Sequence, residues 1–177
     1  MRSGEDTERS YNPSLSFTHH TDLADQRCSW KKGGEITLEK KFEIEFSKGG
    51  KFTAVLLMNE APKTCAAFLK ALPLEARFRQ ARFAGEEFFF QADMTPEAEN
   101  QIPPKWGDIS FNADPKWKAV CIYYGNNVKS SGAPFNLFAR VISGNLEALK
   151  KVGERVWLQG EEVAHIQLLS KEEKDES

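Results

Sequence analysis

Residues 42–58 read Phe42-Glu43-Ile44-Glu45-Phe46-Ser47-Lys48-Gly49-Gly50-Lys51-Phe52-Thr53-Ala54-Val55-Leu56-Leu57-Met58. Phe42, Ile44 and Phe46 alternate with carboxylates, and a period of two puts all three side chains on one face of a strand. Lys48-Gly49-Gly50-Lys51 supplies the turn, and the apolar run from Phe52 to Met58 is a second strand able to pair back on the first. The stretch predicts a β-hairpin, with its pairing set by that turn.

Working outward, Glu60-Ala61-Pro62-Lys63-Thr64 punctuates the hairpin. Pro62 suits the first turn of a helix, Cys65, Phe68, Leu69 and Leu72 follow on one helical face, and Pro73 ends it. Two aromatic-rich strands are expected at about Ala76 to Ala84 and Glu87 to Ala92, with Gly85 as the bend between them. Asp93 to Pro104 is the longest loop of the domain, and long loops in compact domains are often functional. Further strands are expected at Ile109 to Asn112, Lys118 to Tyr124, Phe135 to Ile142 and Val163 to Leu169, with a short helix from Asn145 to Lys151, capped by Asn145 and stopped by Gly153. So many strands with only two short helices predict a mainly β chain closed into a barrel, which removes exposed sheet edges.

At 177 residues the chain is long enough for one well-buried domain without disulfide or metal support. Residues 1–40 are polar and charged, and their few apolar residues follow no period, which predicts a flexible N-terminal extension. The barrel domain is placed at 41–170 and a charged C-terminal tail at 171–177. A net charge of -2 offers no footprint for nucleic acid. No run approaches the roughly 20 apolar residues of a membrane span, and no signal-peptide pattern follows Met1. Three widely spaced cysteines, Cys28, Cys65 and Cys121, form neither a disulfide framework nor a zinc motif. These features lead to the expectation of a cytoplasmic protein that binds neither nucleic acid nor membrane.

The order of these elements is similar to that of the cyclophilin superfamily. The resemblance is carried by Ala61-Pro62-Lys63-Thr64-Cys65 before the first helix and by Phe138-Ala139-Arg140-Val141-Ile142-Ser143-Gly144 before the second. Gly85-Glu86-Glu87, Trp106-Gly107-Asp108, Tyr123-Tyr124-Gly125, Phe135-Asn136-Leu137-Phe138 and Arg155-Val156-Trp157 more closely resemble an uncharacterised, chiefly bacterial branch of cyclophilin-like proteins. The match spans about Phe42 to Leu169. It implies a cyclophilin-like closed β-barrel with two short helices.

The prolyl isomerases of that superfamily place an arginine five residues before the first Phe of a strand that Phe88-Phe89-Phe90-Gln91 resembles. Here that position is Phe83, and Arg82 stands one residue away. A one-residue shift in a strand turns a side chain to the opposite face. The Trp-Leu-x-Gly-Lys-His segment that lines the isomerase pocket has no counterpart among residues 126–134. The resemblance therefore implies a binding module first, holding a small molecule or short peptide in an aromatic pocket. A peptidyl-prolyl isomerase with Arg82 as its catalytic residue comes second, and an accessory subunit of an amide-hydrolysing complex third.

Ligand pockets are floored by aromatics with a few polar groups around them. The candidate ligand-binding residues are Phe88, Phe90, Gln91, Tyr123, Tyr124, Phe135, Asn136 and Phe138. Alternation divides these between core and pocket, and the sequence does not say which set faces which way. Glu86 and Glu87 are adjacent in a strand, so they point to opposite faces. A salt bridge to Arg77, Arg79 or Arg82 accounts for one of them. Asp108 is read as bonding turn amides, His165 as exposed or half-buried, and Cys121 as a buried, unreactive thiol. The glycines form no phosphate loop or dinucleotide fingerprint, no serine sits in a nucleophile elbow, and His19-His20 lacks further converging ligands. No metal and no cofactor is expected.

Overall fold

The computed structural model describes residues 39–129 and 135–170. Most of the expected extension 1–40, the tail 171–177, His19, His20, Cys28 and residues 130–134 lie outside the described residues. Among the described residues the strands are β1 (Lys41–Phe46), β2 (Lys51–Leu56), β3 (Leu74–Gln80), β4 (Gly85–Gln91), β5 (Asp108–Asn112), β6 (Ala119–Val128), β7 (Phe135–Val141) and β8 (Glu162–Leu168). Two α-helices, α1 (Pro62–Ala71) and α2 (Leu146–Gln159), interrupt them. All eight strands pair antiparallel in the closed order β1-β2-β7-β5-β6-β4-β3-β8. The expected mainly β chain with a closed barrel and two helices is the observed architecture.

Alternation builds the interior. Phe42, Ile44 and Phe46 from β1, Phe52, Ala54 and Leu56 from β2, Phe78 from β3, Phe88 and Phe90 from β4, and Ile122 and Tyr124 from β6 all join one buried cluster. Phe78 is the hub of its aromatic part, with ring centroids 4.9 Å from Phe46, 5.2 Å from Phe88 and 4.8 Å from Phe90. Burying each such ring contributes about 1.5–3 kcal/mol relative to exposure, and tilted aromatic pairs add to that. Helix α1 seats Phe68 between Phe42 and Phe138, at 4.9 and 5.0 Å. Near the β1–β2 turn, Val152 of α2 approaches Gly50.

Four local expectations change. The expected strand 76–84 ends at Gln80, and Arg82–Ala84 is a 3-10 turn. Strand β6 continues past Tyr124 to Val128. The late helix runs from Leu146 through Gly153 to Gln159 and stops at Gly160, whose φ is 90°. One glycine costs a helix only about 1 kcal/mol, too little to end a well-packed one. Gly153 serves packing instead: a Cβ there would lie 2.1 Å from Cγ of Tyr124, so its absence lets the helix backbone rest on the ring. Asn145 does not cap its own helix, because its Oδ1 accepts from the Thr53 amide at 2.7 Å.

Candidate functional site

The strand segments that feed the core also carry the opposite face of the same sheet. Register places Glu87 opposite Tyr123, Phe89 opposite Cys121 and Gln91 opposite Ala119 across β4 and β6. It continues through Ser110 opposite Cys121 and Asn112 opposite Ala119 on β5, and Phe135 opposite Asn112 on β7. Side chains directly opposite in register share a face. Ala119, Cys121 and Tyr123 accordingly form a second small cluster, with Phe89, Val128 and Phe135 packed against it, separate from the barrel interior.

Over this patch lies a cavity of about 180 Å³. Phe89, Ala119 and Cys121 come from its central strands, Phe135 from β7, Phe83 from the 3-10 turn and Trp117 from the β5–β6 connection. Trp117 stands edge-on to Phe89, with centroids 6.5 Å apart and planes at 88°. Phe83 is 71% exposed and Trp117 39%, so both rings reach solvent.

The polar content of the cavity is small. Glu87 is 5% exposed and lines it, and Asn112 and Asp114 come from β5 and the turn after it. Burial pushes the Glu87 carboxyl up to about 7, with the neighbouring Cys121 thiol acting in the opposite direction. Burial likewise raises the Cys121 thiol and the Tyr123 phenol, so both hold their protons at neutral pH. The Tyr123 hydroxyl pairs with Ser110 Oγ at 3.1 Å. A carboxyl balanced near neutrality in an apolar cavity can bind a cation or exchange a proton. Among the described residues no group of three or more His, Cys, Asp or Glu side chains converges to hold a metal ion.

The residues expected at the pocket divide by strand parity. Phe135 lines the cavity. Tyr123 lies on the same outer face but is 1% exposed, packed beneath its neighbours. Gln91 shares that face at the exposed end of β4, its Nε2 donating to the Trp117 carbonyl at 3.3 Å. Phe88, Phe90 and Tyr124 are instead in the barrel interior, because even-numbered residues of β4 and β6 turn inward, and Phe138 of β7 joins the same cluster. Arg82 is outside the cavity lining: its Nη2 donates to the Trp157 carbonyl at 3.0 Å and its guanidinium lies 5.1 Å from the Trp157 ring centroid.

Asn136 is fully buried as a structural hub. Its Nδ2 donates to Thr64 Oγ1 at 3.1 Å and to the Glu97 carbonyl at 2.8 Å, and its Oδ1 accepts from the Glu99 amide at 3.1 Å. The expected ion pair of the Glu86-Glu87 couple is also absent among the described residues. Arg77 and Arg79 pair with Glu161, while Glu86 accepts from the Asn127 amide at 2.7 Å. Gly85 leaves room for this crossing, since a Cβ there would meet the Asn127 carbonyl oxygen at 2.0 Å. Asp108 does accept from a turn amide, that of Lys105 at 2.8 Å, and also pairs with Arg140 at 2.7 Å. His165 is exposed.

Sequence reasoning passed over Phe83, Phe89 and Trp117. The available signal was the alternation of Phe88-Phe89-Phe90, which must send the middle ring away from its neighbours.

No curated protein matches this chain. The solved structure of McbB in complex with tryptophan superposes with a TM-score of 0.57 at 16% identity, covering 71% of this chain and 44% of that one. The chain thus spans less than half the length of McbB. The solution structure of the hypothetical protein AF2241 from Archaeoglobus fulgidus gives a TM-score of 0.54 at 21% identity, covering 76% of this chain and 98% of that one. At these identities the likeness shows the fold alone. The sequence profile described as a protein of unknown function, DUF3830, matches residues 44–168, so the chain belongs to the DUF3830 family.

Proposed function

We propose that this protein is a binding module that holds a small molecule in the aromatic cavity on the outer face of β4 and β6. The observation that carries this reading is the half-open apolar cavity of about 180 Å³ walled by Phe83, Phe89, Trp117 and Phe135, with the buried Glu87 carboxyl in its lining. Apolar walls with very few placed polar groups are the composition of a ligand site. A sheet face needed only for packing would have no reason to retain a carboxyl whose burial is costly. McbB, part of which shares this fold, was solved in complex with tryptophan, which adds a fold-level precedent. The buried, free Cys65 and Cys121 suit a reducing compartment, and we place the protein in the cytoplasm on that ground. Among the described residues no helix is long and apolar enough to cross a membrane.

The test is a titration of the full chain with single-ring aromatic fragments, followed by backbone amide shifts. Shifts centred on Phe89, Trp117 and Cys121, abolished by the cavity-filling substitution Ala119→Phe, support the reading. Shifts confined to the α2 side of the barrel, or shifts that the filled cavity leaves unchanged, would sink it.

A further inference from the structure

The charges around the cavity narrow what it takes. Its described lining contains two acids, Glu87 and Asp114, and no lysine, arginine or histidine. Among the described residues, the cations on the neighbouring elements are engaged elsewhere or face solvent. Arg79, whose register partner is Phe89, is bonded to Glu161 at 3.2 Å. Arg82 is on Trp157, and Lys118 pairs with Asp93 at 2.8 Å. Lys116 is exposed, its Nζ 5.5 Å from the Trp117 ring centroid.

The walls favour the same sign of charge. An aromatic face is the negative part of its quadrupole and attracts ammonium groups, more strongly where water is excluded. Trp117 already accepts one cation in this way. A carboxylate and four aromatic rings around one space repel an anion on both counts and leave a neutral ligand with an uncompensated buried charge. Size sets the other limit. An apolar cavity of about 150 Å³ takes benzene, so about 180 Å³ fits one ring, or a branched aliphatic group of similar bulk, with a short arm.

Resting on the reading of this cavity as a small-molecule site, we infer that its ligand is a small organic amine. Its ammonium sits against the Glu87 carboxylate and its apolar body lies on Phe89 and Phe135. Asp114 at the same cavity adds to the negative potential without taking the direct contact.

Three probes of one shape and different charge decide the matter: 2-phenylethylamine, 2-phenylethanol and phenylacetate. They are titrated calorimetrically into the full chain at pH 8, where the amine is charged. The amine should bind at least about tenfold more tightly than the alcohol, the size of effect a charge-assisted contact supplies, and phenylacetate should bind most weakly. Glu87→Gln should erase the preference while leaving the alcohol's affinity within about threefold, because the amide keeps the shape of the site. Asp114→Asn should reduce the preference without removing it.

Equal binding of amine and alcohol to the unmodified chain would overturn the amine inference and leave the aromatic site standing. A preference that survives Glu87→Gln, or vanishes only in Asp114→Asn, would overturn the assigned seat. Failure of all three probes to bind would overturn the cavity reading itself, and the inference with it.

Discussion

The two faces of the β4–β6 ribbon are built from interleaved residues of the same strands, yet they are different materials. Inward, Phe88, Phe90, Ile122 and Tyr124 join a continuous hydrophobic cluster. Outward, Glu87, Phe89, Cys121 and Tyr123 mix a carboxyl, a thiol and a phenol with aromatic rings around open space. Neighbouring residues only 3.3 Å or so apart along the strand therefore answer to different requirements. The inner set is tuned to fill volume. The outer set leaves volume unfilled and keeps a polar group that a core would reject.

The contrast is tested most directly by truncating adjacent rings. Phe88→Ala removes a fully buried ring from the aromatic core and should destabilise the protein by about 3–5 kcal/mol. Phe89→Ala, one residue on, should cost less than half of that while abolishing fragment binding. Denaturant melts of the two variants, read beside a binding titration, check both. Equal losses of stability would show that the outer face is core after all.

A second test uses the charge on the outer face. Because burial raises the Glu87 carboxyl from 4.5 to about 7, the folded chain binds more protons than the unfolded chain between those values. Stability then falls as pH rises through that window and levels off above it. The cavity's other carboxyl, Asp114, is exposed, Arg79 is held by Glu161, and Cys121 and Tyr123 stay protonated throughout. Glu87→Gln should remove this part of the pH dependence and raise stability on the order of 3 kcal/mol at pH 8. Melting curves at pH 5 and pH 8 decide it, and a Gln variant no more stable than its parent at pH 8 would show a carboxylate already compensated.

Glycine against a ring gives a third test, on the inner face. Gly153→Ala should destabilise by about 1–3 kcal/mol, because the new methyl meets the Tyr124 ring and either the helix or the ring must move. A stabilised variant would mean that α2 shifts freely over the sheet. The smallest effect belongs to Arg82. Arg82→Ala should change stability by no more than about 1 kcal/mol and leave fragment affinity unchanged, since the exposed guanidinium lies over Trp157. In a cis-to-trans assay on a short Xaa-Pro peptide, we expect neither the parent nor this variant to accelerate conversion. Rapid conversion by the parent, lost in Arg82→Ala, would put the isomerase reading first.

The fold was legible wherever periodicity was clean. The alternation at Phe42, Ile44 and Phe46 and the Pro62-to-Pro73 helix needed no tertiary information. Gly153 misled because a glycine within a helix reads locally as a stop, whereas its role depends on Tyr124, nearly thirty residues earlier in the chain. For the proposed site, residue types could be read from the sequence but not the face of the sheet each one takes. An aromatic pocket was expected, yet which of Phe88 and Phe89 belonged to it depended on which side of the sheet became the interior, and closure of the whole barrel sets that side. One of Glu86 and Glu87 is expected in an ion pair because arginines abound nearby in sequence. The guanidiniums of Arg77 and Arg79 reach Glu161 instead, a partner more than eighty residues away.

The amide of Asn136 carries a further consequence. Residues 93–104 have neither helix nor strand, which would ordinarily mark a place where the chain tolerates a changed length. Here one buried side chain on β7 holds the Glu97 carbonyl and the Glu99 amide, and Asn100 Nδ2 donates to the Leu137 carbonyl at 2.6 Å. The spacing of this irregular stretch is therefore measured against the strand as strictly as a paired neighbour's would be. A single deletion between Glu97 and Asn100 would put every partner out of step at once.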